Sequence, residues 1–169
     1  VQSVGASYVI VGHSEIRALG EGNEIVNKKV KAALRQKLSV ILCVGEGERD
    51  RQGTYLAWLR EEVHAALKDI PREDLKRLIV AYEPLWAIGK NAGGAMTPRD
   101  FHETSLFIRK VLAELYDAQT AHRVPILYGG SVEEENAELL LIHGEADGFL
   151  VGHTGLNSEA FCTILRTAD

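Results

Sequence analysis

Apolar residues gather along the chain in two alternating patterns. Short runs rich in Val, Ile, Leu and Tyr occupy positions 8–11, 40–44, 78–82, 124–128 and 148–151. Each predicts a buried strand. Between and after them, stretches at 23–36, 55–68, 98–116, 134–142 and 158–166 repeat their apolar positions at helical spacing, and each predicts an amphipathic helix. The third helix has the clearest start: Thr97 can cap the free N–H groups, Pro98 suits the first helical position, and Asp100 adds negative charge to the first turn. The run Glu133-Glu134-Glu135 reads as an acidic helix start. Strict alternation of strand and helix implies right-handed crossovers and a parallel sheet covered by helices, an α/β fold.

An open doubly wound sheet and a closed barrel both satisfy that alternation. The polar positions separate them. Every predicted strand runs into a polar or glycine-containing cluster: Gly12-His13-Ser14-Glu15, Gly45-Glu46, Glu83-Pro84, Gly129-Gly130-Ser131 and Gly152-His153. Function gathered from the carboxyl ends of all strands is the barrel pattern, whereas an open sheet concentrates it at one switch point. No Gly-x-Gly-x-x-Gly follows a strand, which counts against a dinucleotide fold.

Composition narrows the class further. A chain of 169 residues, 46% apolar and 25% charged, predicts a single domain over 1–169 with a sizeable core. A net charge of -5 argues against nucleic-acid partners, and any anionic ligand must be drawn by local groups. No apolar run approaches the roughly 20 residues that span a bilayer, and the first residues lack a signal-peptide pattern, so a cytoplasmic protein with no membrane partner is expected. Cys43 and Cys162 show neither metal-ligand spacing nor a disulfide framework, and both are expected as small core residues. Met96 is the only methionine, so Val1 is not expected to be a translation start.

Five segments, in order and at suitable spacing, carry a resemblance: Gly12-His13-Ser14-Glu15, Cys43-Val44-Gly45-Glu46, Tyr82-Glu83-Pro84-Leu85-Trp86-Ala87-Ile88-Gly89, Tyr128-Gly129-Gly130-Ser131-Val132 and Gly148-Phe149-Leu150-Val151-Gly152. Together they resemble the signature segments of the triosephosphate isomerase family over essentially the whole chain. The resemblance implies a (β/α)8 TIM barrel of which this chain covers about five β/α units, the fourth to the eighth, with the amino-terminal units missing. It implies interconversion of dihydroxyacetone phosphate and D-glyceraldehyde 3-phosphate, in glycolysis and gluconeogenesis, with no metal or organic cofactor. The partner would be a small phosphorylated sugar, and the complete protein would be a homodimer.

Such a reaction needs a base to move a proton between adjacent carbons and an electrophile to stabilise the enediolate. By resemblance Glu83 is the base and His13 the electrophile, a neutral imidazole held at a helix amino terminus as the family has it. Pro84 and Trp86 open a loop, 84–95, expected to close over the site. Backbone N–H groups of Gly89, Ser131, Gly152 and His153 are the phosphate candidates, because glycine allows close approach and helix amino termini favour anions. Ser14, Glu15, Glu46, Gly129 and Gly130 are expected to support the site without direct chemistry. His64, His102, His122 and His143 carry no motif and read as structural or surface residues.

The chain also departs from the family pattern. Lys90-Asn91-Ala92-Gly93-Gly94-Ala95 stands where the family usually has Thr-Gly-Lys, His153 replaces a glycine, and Ile16-Arg17 replaces two arginines. Five units cannot close an eight-stranded barrel, so residues 1–169 alone are expected to be inactive and loosely packed. Two other readings stay open: an isomerase of a longer sugar phosphate such as a tetrulose phosphate, and a phosphate-binding module without catalysis.

Overall fold

A computed structural model describes residues 2–89 and 94–167. Its centre is a four-stranded, wholly parallel sheet of β1 (Tyr8–Val11), β2 (Ser39–Val44), β3 (Leu78–Tyr82) and β4 (Ile126–Tyr128). The spatial order is β1-β2-β3-β4, the same as the chain order. Each crossover therefore lays its strand on the same advancing edge, the sequence of a barrel wall, with no reversal of the kind that marks a doubly wound sheet. The paired registers Tyr8↔Ser39, Val40↔Leu78 and Val80↔Ile126 bring the carboxyl ends of all four strands to one end of the sheet.

Among the described residues seven α-helices accompany the strands: α1 (Ser14–Ala18), α2 (Asn23–Arg35), α3 (Thr54–Ala66), α4 (Pro98–Leu115), α5 (Ala118–Arg123), α6 (Glu134–Ile142) and α7 (Ser158–Thr167). Five match the sequence expectation to within two residues; α1 and α5 are additional. The start of α4 is as expected, with the Asp100 N–H donating to the Thr97 hydroxyl at 3.1 Å. At α6, Glu133 and Asn136 form a reciprocal capping box that satisfies two N–H groups otherwise left open.

Two expected strands are corrected. The run 124–128 contracts to Ile126–Tyr128, and 148–151 is no full strand but a single parallel bridge, Tyr128↔Phe149. Pro125 has no N–H to give, and the Asp147 carboxylate takes the Ile126 N–H at 2.8 Å, leaving little backbone for a ladder. Arg109 fixes that junction, donating to Val124 O at 2.9 Å and to Asp147 Oδ2 at 2.7 Å. The fifth segment still lies against β4, held by Tyr128 N to Gly148 O at 3.1 Å and Leu150 N to Tyr128 O at 2.9 Å.

The core is built on β2 and β3, where Val40, Leu42, Val44, Val80 and Tyr82 are fully buried, with Val26, Val30, Leu59, Val63, Phe101 and Ile108 packed over them from α2, α3 and α4. β1 differs: Tyr8 and Ile10 are 57% and 47% exposed. Cys43 is buried as expected, but Cys162 is exposed on α7. No helix among the described residues is long and apolar enough to cross a membrane.

Candidate active site

Glu83 follows directly on β3, and its N–H still donates to Val44 O on β2 at 2.8 Å. Pro84 then ends the ladder by withholding its N–H. The result is a carboxylate 2% exposed at the mouth of the sheet. Two glycines make room for it. A Cβ on Gly45 would lie 1.8 Å from the Glu83 carbonyl oxygen, and one on Gly129 would lie 2.9 Å from Glu83 Cγ. A Cβ on Gly130 would meet the Tyr128 hydroxyl at 2.3 Å, so the glycine pair is a steric requirement of the packing here as well as a turn.

His13 comes from the turn after β1, where Gly12 adopts φ +77° and redirects the chain into α1. The imidazole caps that helix, its Nδ1 accepting the Glu15 N–H at 3.4 Å. With Nδ1 an acceptor, the proton of the neutral ring sits on Nε2. Nε2 lies 3.2 Å from Glu83 Oε1, and Ser14 N–H donates to Glu83 Oε2 at 2.9 Å. Both carboxylate oxygens of Glu83 are thereby tied to the His13-Ser14 turn, some seventy positions away in sequence.

The supporting residues divide. Ser14 acts on Glu83 through its backbone. Glu15 acts on His13 through its backbone as well, while its carboxylate points largely to solvent, 4.0 Å from His13 Nδ1. Glu46 is buried and accepts from the Tyr82 hydroxyl at 2.7 Å and from Trp86 Nε1 at 2.9 Å, tying the first turn of the 84–95 loop, Leu85–Ala87, to the end of β2. Burial, reinforced by the Glu46 charge, pushes the Tyr82 hydroxyl far above its ordinary pKa. Residues 90–93 of the expected lid lie outside the described residues.

Of the phosphate candidates, Ser131 is buried just after β4, its hydroxyl donating to Ala87 O at 2.8 Å. Gly89, at φ +71°, Gly152 and His153 are exposed in the turns that follow β3 and the 148–151 segment. A cleft of about 540 Å³ opens beside the carboxylate, lined in part by Gly12, Ser14, Arg17, Gly45, Glu83 and Leu85. Among the described residues, no group of three or more His, Cys, Asp and Glu side chains is placed to hold a metal ion.

Sequence reasoning missed Glu62 and its pairing with Arg17. Glu62 on α3 is 2% exposed, accepts the Gly45 N–H at 2.8 Å and pairs with Arg17 Nη1 at 3.4 Å. Its signal was visible, since it is a charge on the stripe made by Leu59, Val63 and Ala66. Burial pushes the Glu62 carboxyl above the usual range, against the opposing pull of Arg17 and the Gly45 N–H. Cys43 is held fully protonated in the same way, first by burial and then by the Glu83 charge beside it.

Comparison with known proteins supplies the frame for this geometry. A family model described as "Triosephosphate isomerase" matches residues 1–168. Proteins named triosephosphate isomerase from Chloroherpeton thalassium and Fusobacterium nucleatum are each 42% identical over 171 residues, covering 100% of this chain and 67% of their own length. One of the same name from Geotalea uraniireducens is 42% identical over 168 residues, covering 98% of this chain and 66% of its own. The chain thus spans about two thirds of the length of these relatives. With a parallel barrel wall and a buried glutamate paired to a half-buried histidine at its carboxyl end, the chain belongs to the triosephosphate isomerase family.

Proposed function

We propose that this site, in the complete protein, interconverts dihydroxyacetone phosphate and D-glyceraldehyde 3-phosphate, with Glu83 as base and His13 as electrophile. The observation that carries the reading is the pair itself: a nearly inaccessible carboxylate 3.2 Å from an imidazole whose other nitrogen accepts a backbone N–H. From the ketone, Glu83 takes a proton from C1 and the electrons move onto the C2 oxygen. The Nε2–H of His13 donates to that oxygen as negative charge develops. The protonated Glu83 then delivers its proton to C2 while the proton of the C1 hydroxyl passes by way of His13 to the C2 oxygen, so that C1 becomes the aldehyde and C2 carries the hydroxyl.

Glu83 and His13 contact each other directly, and substrate entering between them exchanges that contact for the two reactive ones. Burial favours this chemistry, because a dipole aimed at developing charge acts more strongly where water is excluded. The phosphate group is assigned to the N–H groups of Gly89, Ser131, Gly152 and His153. Assembly as a homodimer in the cytoplasm goes with the same reading.

The test is turnover of Glu83→Gln and Glu83→Asp in the complete protein. Loss of the base removes about 10²- to 10⁴-fold or more of the rate, and a shortened base misses the carbon. Binding of inorganic phosphate should survive both changes. Near-parental turnover in both variants would remove Glu83 from the mechanism.

A further inference from the structure

The proposed base and electrophile reach the cleft from strands that are not neighbours. Glu83 extends β3, His13 follows β1, and β2 lies between them. The spacing of the two groups therefore depends on how the ends of β1 and β2 are held together. An ion pair between half-buried Arg17 and buried Glu62 spans that gap.

Arg17 on α1 donates from Nε to Gly12 O at 2.9 Å, the residue immediately before His13, and from Nη1 to Asn23 Oδ1 at 2.8 Å. Its Nη1 also faces Glu62 Oε1 at 3.4 Å. The other oxygen of Glu62 takes the Gly45 N–H at 2.8 Å, and Gly45 is pressed so closely on the Glu83 carbonyl that no Cβ fits. A continuous path results, from the backbone carrying His13 through Arg17, Glu62 and Gly45 to the backbone carrying Glu83. The direct Glu83–His13 contact cannot hold that spacing during the reaction, since substrate must separate the two.

We propose that Arg17 and Glu62 are positioning residues, which hold the spacing of His13 and Glu83 while substrate lies between them. This rests on the assignment of Glu83 and His13 given above. A purely stabilising role explains the pair poorly, because withdrawing the Glu62 charge and part of the Arg17 charge from water costs about as much as their attraction returns. Both oxygens of Glu62 are instead spent on groups that lead to the strand ends beside the site. Burial raises the Glu62 carboxyl in keeping with that cost.

The experiment uses the complete protein with Arg17→Met, Arg17→Lys, Glu62→Gln and the double variant Arg17→Met with Glu62→Gln. Misplacement of reacting groups by an ångström or less lowers kcat by up to about 10²-fold, so kcat of Arg17→Met should fall on the order of ten- to a hundredfold. KM should change by less than about threefold and the inhibition constant of inorganic phosphate should hold, since neither depends on the His13–Glu83 spacing. Glu62→Gln should lose less, because its amide oxygen still accepts the Gly45 N–H; Arg17→Lys should recover part of the loss. The double variant should be no worse than Arg17→Met alone, as expected for members of one path.

Three results would overturn the proposal: kcat of Arg17→Met within twofold of the parent, additive losses in the double variant, or kcat and phosphate affinity falling together in step with the folded fraction. Should Arg17→Met not fold, the near-isosteric Glu62→Gln decides by the same split of kcat against KM. His13→Gln, measured beside them, separates the two levels of the argument. If His13→Gln keeps full turnover, the proposed function fails; if it loses turnover while Arg17→Met does not, only the positioning role fails.

Discussion

The centre and the edge of the sheet each contribute one member of the proposed pair, and they hold it by different means. β2 and β3 are buried along most of their length, so Glu83 is placed by packing: two strands locked at Val44 and Tyr82, a missing side chain at Gly45 and another at Gly129. β1 has one exposed side, and a five-residue helix is all that follows His13. His13 is therefore placed by tethers, through Gly12, Ser14, Glu15 and Arg17. A core position tolerates little change because every neighbour resists it, whereas a tethered position depends on a few polar contacts that can be removed one at a time.

The strongest way to break this comparison is at Gly45. In Gly45→Ala the added methyl would sit 1.8 Å from the backbone oxygen of Glu83, a residue whose own N–H is held by Val44 O, and no side-chain rotation relieves it. Stability should fall by more than about 4 kcal/mol, the range reserved for gross steric conflict in a core, and the variant should be largely unfolded. Denaturant titration measures it. A loss under about 1 kcal/mol would show that the strand ends separate easily and that packing does not place Glu83.

These two regions were unequally legible in the sequence. β2 and β3 showed themselves as uninterrupted apolar runs at 40–44 and 78–82, and Glu83 and His13 stood in motifs long enough to identify. The run at 148–151 looked no different, but its pairing depends on Asp147, whose carboxylate takes the Ile126 N–H and leaves only one bridge. α1 is too short to show a helical period, and its cap is a histidine where Ser, Thr, Asp or Asn is the usual signal. α5 does have an Asp117 cap, but Ala118–Arg123 carries no apolar stripe to announce a helix. Glu62 was readable as a charge on an apolar face, yet what it binds, the Gly45 N–H and Arg17, is a tertiary fact that no spacing encodes.

A milder comparison uses apolar truncations. Leu42 is fully buried on β2, and Leu42→Ala should cost about 2–5 kcal/mol through lost transfer energy and the cavity left behind. Ile10 on β1 is 47% exposed, and Ile10→Ala should cost under about 1 kcal/mol in the 169-residue chain. Equal costs at the two positions would show that the β1 edge is covered in solution and that the contrast between centre and edge is smaller than the structure indicates.

The smallest effect concerns Glu62, the residue that joins the two regions, and it is read as a dependence on pH. Burial raises its carboxyl above the ordinary value of 4.5, so the folded chain holds that proton more tightly than the unfolded chain does. Between the ordinary and the raised value, the folded state binds more protons, and stability contributed at this site falls as pH rises through that window. Below the window both states are protonated; above it both are ionised, and the contribution is flat. Glu62→Gln has no proton to lose, so the stability of the variant relative to the parent should climb as pH rises from about 4.5 and then level off. Urea titrations of parent and variant between about pH 4 and pH 8 measure that difference directly. A difference that runs the opposite way would mean that Arg17 and the Gly45 N–H outweigh burial. Glu62 would then be held ionised at every pH where the protein folds, and its tie to Arg17 would be stronger than its geometry of 3.4 Å suggests.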